Sequence, residues 1–215
     1  MDNQKTYKII ILGPQASGKG TQAEFLAKKL KIPTISGGQL LREEAQTGSE
    51  LGVQIKKQMD SGSLVSNAIT NELIKKRLQQ NDVQKGFILD GFPRIRIQAK
   101  YLATLTDITH VLVIEISDNE TLRRLAGRRT CPKCGKVYHL EFNPPKQEGI
   151  CDDDNSLLEI RTDDTPEAIR ARLKIYHEET EEVIEYYEKQ NLVIHINGEQ
   201  TIEDVKKEIF EKLEI

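Results

Sequence analysis

Five short apolar segments, rich in β-branched residues, constrain the fold of this 215-residue chain more than any other feature of its sequence. Each segment is nearly continuous in apolar residues instead of alternating with polar ones. This pattern is typical of strands that are buried on both faces of a parallel sheet. We therefore predict five strands, at residues 8–12, 32–35, 87–89, 111–116 and 192–196.

The segments between these strands carry many charges and show the apolar spacing of amphipathic helices. The alternation of strand and helix predicts an α/β fold, a doubly wound parallel sheet with helices on both faces. The predicted helices cover residues 22–30, 67–80, 97–105, 121–127, 166–189 and 201–213. Asp164 or Thr165 can cap the longest of them, and Pro166 suits its first position.

Two segments interrupt the alternation and are too long to be simple connections. Residues 36–65 are helical in character, whereas residues 131–164 hold two cysteine clusters, a Pro-Pro pair and an acidic run. We interpret both as insertions on the rim of the sheet. The predicted core comprises residues 1–35, 66–126 and 165–215, and the predicted insertions are 36–65 and 127–164.

A glycine-rich segment from Gly13 to Thr21 follows the first predicted strand and precedes a helix, which is the context expected of a phosphate-binding loop. Its glycines allow backbone N–H groups to point at a phosphate, and the helix adds its positive N-terminal end. Lys19 can reach the β- and γ-phosphates. Gly20 stands where the general motif has Ser or Thr, which follows one position later. Asp90, directly after another predicted strand, is the kind of residue that holds magnesium beside a triphosphate, often through water.

Charge and composition exclude several classes of protein. Lys and Arg number 31 against 34 Asp and Glu, and the net charge of −3 does not indicate a general nucleic-acid-binding protein. No apolar run approaches the roughly 18–20 residues of a membrane span, and the first residues lack the pattern of a secretory signal. Three cysteines, an odd number, argue against a disulfide-stabilised secreted domain. We therefore expect a cytoplasmic protein without nucleic-acid or membrane partners.

The cysteines have the spacing of a metal site. Cys131 and Cys134 form a C-x2-C pair, and Cys151 and Asp154 repeat that spacing further along the chain. Zinc accepts carboxylate oxygen as well as thiolate, and a closed tetrahedral site would stabilise this loop-rich segment instead of taking part in chemistry. His139 is a rival fourth ligand, while three free thiols or a redox-active pair are the alternatives to a metal.

Several motifs resemble, in order and spacing, those of the adenylate kinases, and most closely the bacterial type with a long metal-bearing lid. The most specific is Asp-Gly-Phe-Pro-Arg at 90–94, after a buried strand, which is typical of nucleoside-monophosphate kinases. The resemblance covers nearly the whole chain. The other motifs are GPQASGKGTQ, ISGGQLLRE, GRRTCPKCGKVYHLEFNPP and the Arg-Thr-Asp-Asp at 161–164.

The resemblance implies a reversible reaction in which MgATP and AMP give two molecules of ADP. The acceptor phosphate has a second pKa of about 6, so it is largely dianionic at pH 7 and needs no general base. The reaction requires fixed cations and exclusion of water, and arginine suits the first task. The resemblance further implies a monomer with Mg²⁺ as the cofactor of ATP. It also implies a structural Zn²⁺ on Cys131, Cys134, Cys151 and Asp154.

The resemblance also makes 36–65 an NMP-binding insertion and 127–164 a zinc-bearing lid, and it places magnesium near Asp90 through water. The expected catalytic residues are Lys19, Arg94, Arg128, Arg161 and Arg172. The expected ATP-binding residues are Ala16, Ser17, Gly18, Lys19, Gly20, Thr21, Arg124, Arg128, Val137, Tyr138 and Gln200. The expected AMP-binding residues are Gly37, Arg42, Ser63, Leu64, Val65, Gly91, Phe92, Pro93, Arg94, Gln98, Arg161 and Arg172.

The acceptor half of the chain departs from the family pattern. Gly37 replaces a threonine that contacts the AMP base, Gln39 and Asn67 replace aspartates, and Ile95 replaces a threonine. We expect preserved phosphoryl transfer, with relaxed acceptor selectivity as an alternative. A catalytically weak nucleotide-binding regulator is a second alternative, which the retained lysine and arginines disfavour. A zinc-ribbon nucleic-acid module is a third, which the acidic run in the lid disfavours.

Overall fold

The computed structural model describes residues 6–61, 63–161 and 164–215. The strands in these ranges are β1 (Tyr7–Leu12), β2 (Thr34–Ser36), β3 (Gly86–Asp90), β4 (His110–Glu115), β5 (Arg128–Thr130), β6 (Val137–His139) and β7 (Val193–Asn197). Five of them form one parallel sheet in the order β2-β3-β1-β4-β7, and β5 pairs with β6 in an antiparallel ladder. The predicted α/β fold with a five-stranded parallel sheet is confirmed.

Helices surround this sheet and fill the first insertion. They are α1 (Lys19–Leu30), α2 (Gly37–Ala45), α3 (Glu50–Asp60), α4 (Asn67–Leu78), α5 (Arg96–Leu105), α6 (Asp118–Gly127), α7 (Pro166–Ile175), α8 (Glu181–Glu188) and α9 (Ile202–Leu213). Both α1 and α6 begin earlier than their apolar spacing predicts, because the first turn of each is polar. Within the described ranges, no helix is both long and apolar enough to cross a membrane.

The longest predicted helix, 166–189, is divided by a π-helical turn at Tyr176–Thr180 between α7 and α8. Thr165 is its cap, since the Thr165 hydroxyl accepts a hydrogen bond from the N–H of Ala168 at 3.2 Å. Pro166 occupies the first helical position, as predicted. The π-helical turn lets the chain continue as a helix while changing the direction in which its side chains project.

The sheet separates two apolar cores, which explains why its strands are continuous in apolar residues. Ile10 and Leu12 of β1 face a cluster formed with α5 and α8. Ile9 and Ile11 face the opposite cluster, formed with α1 and α9. All four side chains are 0–3% exposed. Because both faces are covered by helices, the carboxyl edge of the sheet is left to bind ligands.

The two insertions differ in structure. The first holds α2 and α3, and the lid holds the β5–β6 pair, to which Glu159 adds a bridge with Thr130. A few predicted segments include residues outside the described ranges. These are 1–5 of the core, Gly62 of the first insertion, and Thr162 and Asp163 of the motif at 161–164.

Candidate nucleotide-binding site

A cleft of about 1090 Å³ opens at the carboxyl ends of β1, β2 and β3. This edge is where open parallel sheets bind their ligands. The glycine-rich loop, the start of α2, residues 63–65 and part of the lid form its walls. All nucleotide-site and magnesium-site residues that the sequence predicts line this cleft, with the exception of Phe92.

Lys19 occupies the centre of the glycine-rich loop. Its Nζ donates hydrogen bonds to the carbonyl oxygens of Gly13 and Pro14, at 2.8 and 2.6 Å, and to Ser17 Oγ at 3.3 Å. Gly13 has a φ of +142°, and a Cβ there would lie 2.3 Å from the carbonyl oxygen of Ile114. Only glycine therefore allows the loop to curl around the lysine ammonium in this way.

The surroundings of Lys19 destabilise the charged form of its side chain. The pKa of Lys19 is lowered to about 8, mainly by burial and to a smaller extent by Arg94, Arg128 and Arg172, while Asp90 opposes this shift. Each of these groups lines the cleft. Because positive charges raise the free energy of the ammonium form, the cleft is prepared for a polyanion that would offset them.

Asp164 connects two of the predicted catalytic arginines. Its carboxylate, 2% exposed, pairs with both the Nε and Nη2 groups of Arg128, the Nε bond being 2.8 Å. The Nη1 group of Arg172 lies 3.5 Å from the same carboxylate. A carboxylate between two guanidinium groups offsets their mutual repulsion and fixes both of them relative to the lid.

Arg94 is held by the protein from several sides. Its Nε donates to the carbonyl oxygen of Gly91 at 3.1 Å, and its backbone N–H donates to Gln98 Oε1 at 2.8 Å. Gln98 Nε2 donates in turn to Asn67 Oδ1 at 3.0 Å, and the Thr180 hydroxyl donates to the Arg94 carbonyl oxygen at 2.8 Å. The amide of Gln98, expected at the AMP adenine, thus uses both its oxygen and its nitrogen within the protein.

Arg42 is oriented by one of the residues that depart from the family pattern. Gln39 Oε1 accepts from Arg42 Nε and Nη2, at 3.2 and 3.0 Å, and Gln39 Nε2 donates to Glu43 at 3.1 Å. The same oxygen would lie 3.1 Å from a Cβ at Gly135, which belongs to the lid. Gln39 therefore stands between the predicted AMP-phosphate arginine and the lid.

Arg124 and Gln200 line the opposite part of the cleft. Arg124 pairs with Glu120 at 2.6 Å and donates from Nη2 to the carbonyl oxygen of Gly198 at 2.8 Å. The Gln200 Nε2 donates to Glu208 at 2.6 Å. Arg124 is thereby held against the loop that follows β7, and Gln200, which belongs to this loop, is held against α9.

Of the two aromatic residues expected in the site, Phe92 does not line the cleft, whereas Tyr138 lines it and also contacts the cysteine cluster of the lid. Phe92 is fully buried in the core, because its large apolar ring gains more from burial than from a polar cleft, and its side chain does not line the site. The ring of Tyr138 packs with Cys131 and Cys151. Its hydroxyl accepts a hydrogen bond from the N–H of Asp152 at 2.8 Å. Tyr138 therefore directs its ring into the cysteine cluster of the lid.

Comparison with known proteins identifies the family of this chain. The family model described as adenylate kinase matches residues 11–192. The chain belongs to the adenylate kinase family. A curated adenylate kinase from Methanocella arvoryzae is 44% identical, with 94% of this chain and 96% of the relative covered. One from Acholeplasma laidlawii is 43% identical, with 96% and 98% covered, and one from Treponema denticola is 46% identical, with 91% and 94% covered.

The lid of this adenylate kinase family member brings four potential metal ligands together. One ligand atom from each of Cys131, Cys134, Cys151 and Asp154 lies within 4.8 Å of the others. The Sγ atoms of Cys134 and Cys151 are 3.6 Å apart, and Cys131 Sγ is 3.3 Å from Asp154 Oδ2. Neighbouring ligands of a tetrahedral zinc ion are separated by about 3.5–3.8 Å. The four residues therefore fit a closed zinc site.

Asp154 and His139, the two candidates for the fourth ligand, make different contacts in the structure. The N–H of Ser156 donates to Asp154 at 2.9 Å and lowers the pKa of this carboxyl below its ordinary value, which keeps it ionised. His139 belongs to a different set of contacts. Its Nε2 lies 2.9 Å from the carbonyl oxygen of Arg124, and its Nδ1 accepts from the N–H of Phe142 at 3.2 Å. Both ring nitrogens of His139 are thus used at the base of the lid.

The sequence assigns no site role to some residues in or beside the cleft. It predicts Asp164 only as a helix cap, although this buried carboxylate contacts Arg128 and Arg172, which line the cleft. Gln15 and Arg123 line the cleft themselves. The one signal for Asp164 was its place in the motif at 161–164. The local sequence around Gln15 does not indicate its contact, because its partner, Ile169, is 154 residues away along the chain.

Proposed function

We propose that this chain catalyses the reversible transfer of a phosphoryl group from MgATP to AMP, which gives two molecules of ADP. The observation that supports this proposal most directly is the convergence of Lys19, Arg94, Arg128 and Arg172 on one cleft. Three of these cations come from α1, β5 and α7, and Arg94 comes from the loop between β3 and α5. Such a concentration of positive charge suits two polyphosphate ligands and the charge on the group that passes between them.

The chemistry needs alignment and charge more than proton transfer. An oxygen of the AMP phosphate forms a bond to the γ-phosphorus of ATP, and the bond from this phosphorus to the β–γ bridging oxygen breaks. The leaving ADP keeps the electron pair of that bond, and the phosphorylated AMP is the second ADP. The acceptor oxygen is already ionised at neutral pH, so no side chain must remove a proton. Arginines that bind phosphate oxygens bidentately hold the reacting atoms in line.

We assign the two nucleotides to opposite halves of the cleft. ATP would bind at the glycine-rich loop, with its adenine flanked by Val137 and Tyr138 and in contact with Gln200, and with Arg124 as a further cation near its phosphates. AMP would bind at Arg42, Arg94 and the other acceptor residues, which are Gly37, Ser63, Leu64, Val65, Gly91, Pro93, Gln98, Arg161 and Arg172. Magnesium bound with ATP would supply further charge neutralisation. The Asp90 carboxylate, which lines the cleft near Lys19, would hold its water ligands.

We propose a structural zinc ion in the lid, held by the three cysteines and Asp154. Residues 36–65 and 127–164 would close over AMP and ATP as separate units and exclude water from the reaction. We also propose a cytoplasmic monomer, as the resemblance to the adenylate kinases implies. Three thiols that are free to bind a metal suit a reducing compartment.

The direct test is the formation of ADP from ATP and AMP by the purified protein, measured in both directions. We expect turnover that requires Mg²⁺ and that falls by at least about 100-fold in Lys19→Met, because this substitution removes a cation from the phosphate site. Binding of both nucleotides without turnover would contradict the proposal and would favour the regulator.

Relaxed acceptor selectivity is a second candidate, and Gly37 is the observation that favours it. Gly37 lines the cleft at the start of α2, and it offers no side chain to an acceptor base. A Cβ at this position would lie 3.2 Å from the carbonyl oxygen of Gly91, so there is little room here for a side chain that could select the base. Turnover of AMP, CMP, UMP and GMP should be compared in the wild type. A strict preference for AMP with ordinary affinity would exclude this candidate.

A further inference from the structure

Gln15 lies in the phosphate-binding loop, but its side chain makes a contact that phosphate binding does not require. Its Nε2 donates a hydrogen bond to the carbonyl oxygen of Ile169 at 2.8 Å, across 154 residues of sequence. A backbone carbonyl can only accept, so the amide group must present its nitrogen to Ile169. The Oε1 of Gln15 is buried and has no hydrogen-bond partner among the described residues. The side chain is therefore oriented by this one bond.

The partner of Gln15 belongs to α7, the helix that leads out of the lid. This helix buries only Ala168, Ile169 and Leu173. Ile169 and Leu173 form a small cluster with Leu125 of α6 and with Ala16, the neighbour of Gln15 in the loop. The apolar contact between α7 and the glycine-rich loop is thus small. The hydrogen bond from Gln15 is therefore a large part of what joins the helix to the loop.

Arg172 follows Ile169 by three residues, which is nearly one helical turn. The hydrogen bond from Gln15 therefore fixes the turn of α7 from which Arg172 projects. Arg172 and Lys19 repel each other, since the arginine lowers the pKa of the lysine. A neutral donor can hold α7 close to the loop without adding charge to the cleft, which neither a lysine nor a glutamate at position 15 could do.

We propose that Gln15 is a positioning residue that holds α7 against the phosphate-binding loop, so that Arg172 and Lys19 converge on the same phosphoryl group. This inference rests on the proposed function, because the two cations matter together only for phosphoryl transfer. Positioning of this kind acts mainly on the chemical step, since a small displacement of a catalytic cation is felt most in the transition state.

The test replaces Gln15 by methionine, which keeps the length of the side chain and removes the donor. We expect kcat to fall about tenfold, while KM for ATP and for AMP changes less than threefold. Gln15→Asn, which is too short to reach Ile169, should behave in the same way and serves if the methionine variant folds poorly. Hydrogen exchange of the backbone amides in α7 should become faster in both variants.

Gln22 provides a matched control. Its Nε2 donates to a backbone carbonyl, that of Ile202 at 3.0 Å, and its Oε1 is also buried without a partner in the described part of the chain. This bond leads to α9 instead of α7. Because Gln22 also lines the cleft, the control concerns helix α7 and not turnover: Gln22→Met should lower thermal stability to a similar extent and leave α7 exchange close to that of the wild type.

Two sets of results would overturn the proposal. One is an unchanged kcat in Gln15→Met, and the other is equally fast exchange of α7 in Gln15→Met and Gln22→Met, which would indicate a general structural role. If the wild type forms no ADP, the proposed function fails first. Hydrogen exchange then tests the role of Gln15 without reference to activity. Unchanged protection of α7 in Gln15→Met refutes the proposal, and faster exchange confined to α7 supports the claim that Gln15 holds this helix against the loop.

Discussion

The carboxylate of Asp164 forms a bidentate ion pair with the guanidinium group of Arg128. Arg128 is the first residue after α6, where the chain enters the lid, and Asp164 lies just before α7, where the chain leaves it. The pair therefore joins the two ends of the lid at its base. Because Arg172 lies 3.5 Å from the same carboxylate, one acidic residue contacts two of the arginines that line the cleft.

We predict that Asp164→Asn lowers kcat by about 100-fold. The amide removes the negative charge between two guanidinium groups, which then repel each other and move away from the reacting phosphates. Steady-state kinetics with both nucleotides varied provide the measurement.

Asp82→Asn is the matched control for this substitution. Asp82 also forms a bidentate pair with an arginine, Arg77, at 2.9 and 2.7 Å, but its side chain is 50% exposed at the surface. Loss of an exposed pair should have little effect on activity or stability. Similar kinetics for Asp164→Asn and Asp82→Asn would show that the buried pair has no special role.

Nucleotide binding at alkaline pH should be accompanied by proton uptake at Lys19. With a pKa of about 8, this lysine is about 90% neutral at pH 9, and a bound polyphosphate would raise the pKa and restore the charge. ATP binding should therefore take up close to one proton at pH 9 and about 0.1 proton at pH 7. Calorimetry in buffers with different ionisation enthalpies measures this number.

The Lys19→Met variant separates this effect from the protonation of ATP itself. Its proton uptake at pH 9 should be close to zero, and its ATP affinity should vary little between pH 7 and pH 10. Wild-type affinity should decline as pH rises above 8, because charging the lysine then opposes binding. An equal uptake in both proteins would contradict this assignment.

Loss of the lid metal should affect stability far more than turnover. We expect one zinc ion per chain in the wild type and none in Cys151→Ser, since a tetrahedral site with one ligand missing binds zinc weakly. The melting temperature should fall by roughly 5–10 °C, which corresponds to about 2–3 kcal/mol for a chain of this size. Metal analysis and calorimetry measure the two quantities, and kcat well below the melting temperature should change less than threefold.

Asp153→Asn tests whether the acidic run as a whole binds the metal. Asp153 is adjacent to a proposed ligand but forms only an exposed pair with Lys136. Zinc content and melting temperature should stay at the wild-type values. A loss of zinc in Asp153→Asn, or retention in Cys151→Ser, would refute the four-ligand assignment.

The contact between Gln39 and Arg42 predicts a selective effect on the acceptor. Gln39→Leu should raise KM for AMP about tenfold, the equivalent of one charge-assisted hydrogen bond, because Arg42 loses the oxygen that orients it. KM for ATP should not change. Glu43→Gln, which alters only the outer partner of Gln39, should leave both constants within twofold. Equal changes in the two KM values of Gln39→Leu would contradict this role.

Much of the fold could be predicted because it depends on local patterns. The strand at β1 reads as a continuous apolar run because helices cover both of its faces, so its environment is recorded in consecutive residues. The same holds for Gly13 and Lys19, whose spacing within one loop is itself the chemical requirement. Two short spacings indicated a candidate metal cluster, the resemblance favoured Asp154 over His139 as its fourth member, and the four side chains do come together.

The sequence by itself thus determined the order of the elements and the glycine-rich loop, and its resemblance to a family selected the arginines that were candidates for the cleft. Only the tertiary structure decided which side chains meet: Asp164 with Arg128, Gln15 with Ile169, and Phe92 with the core instead of the cleft. The reason is physical. Periodicity and motif spacing record interactions between neighbours in the chain, whereas these pairings arise when distant segments pack, and their partners leave no local trace in the sequence.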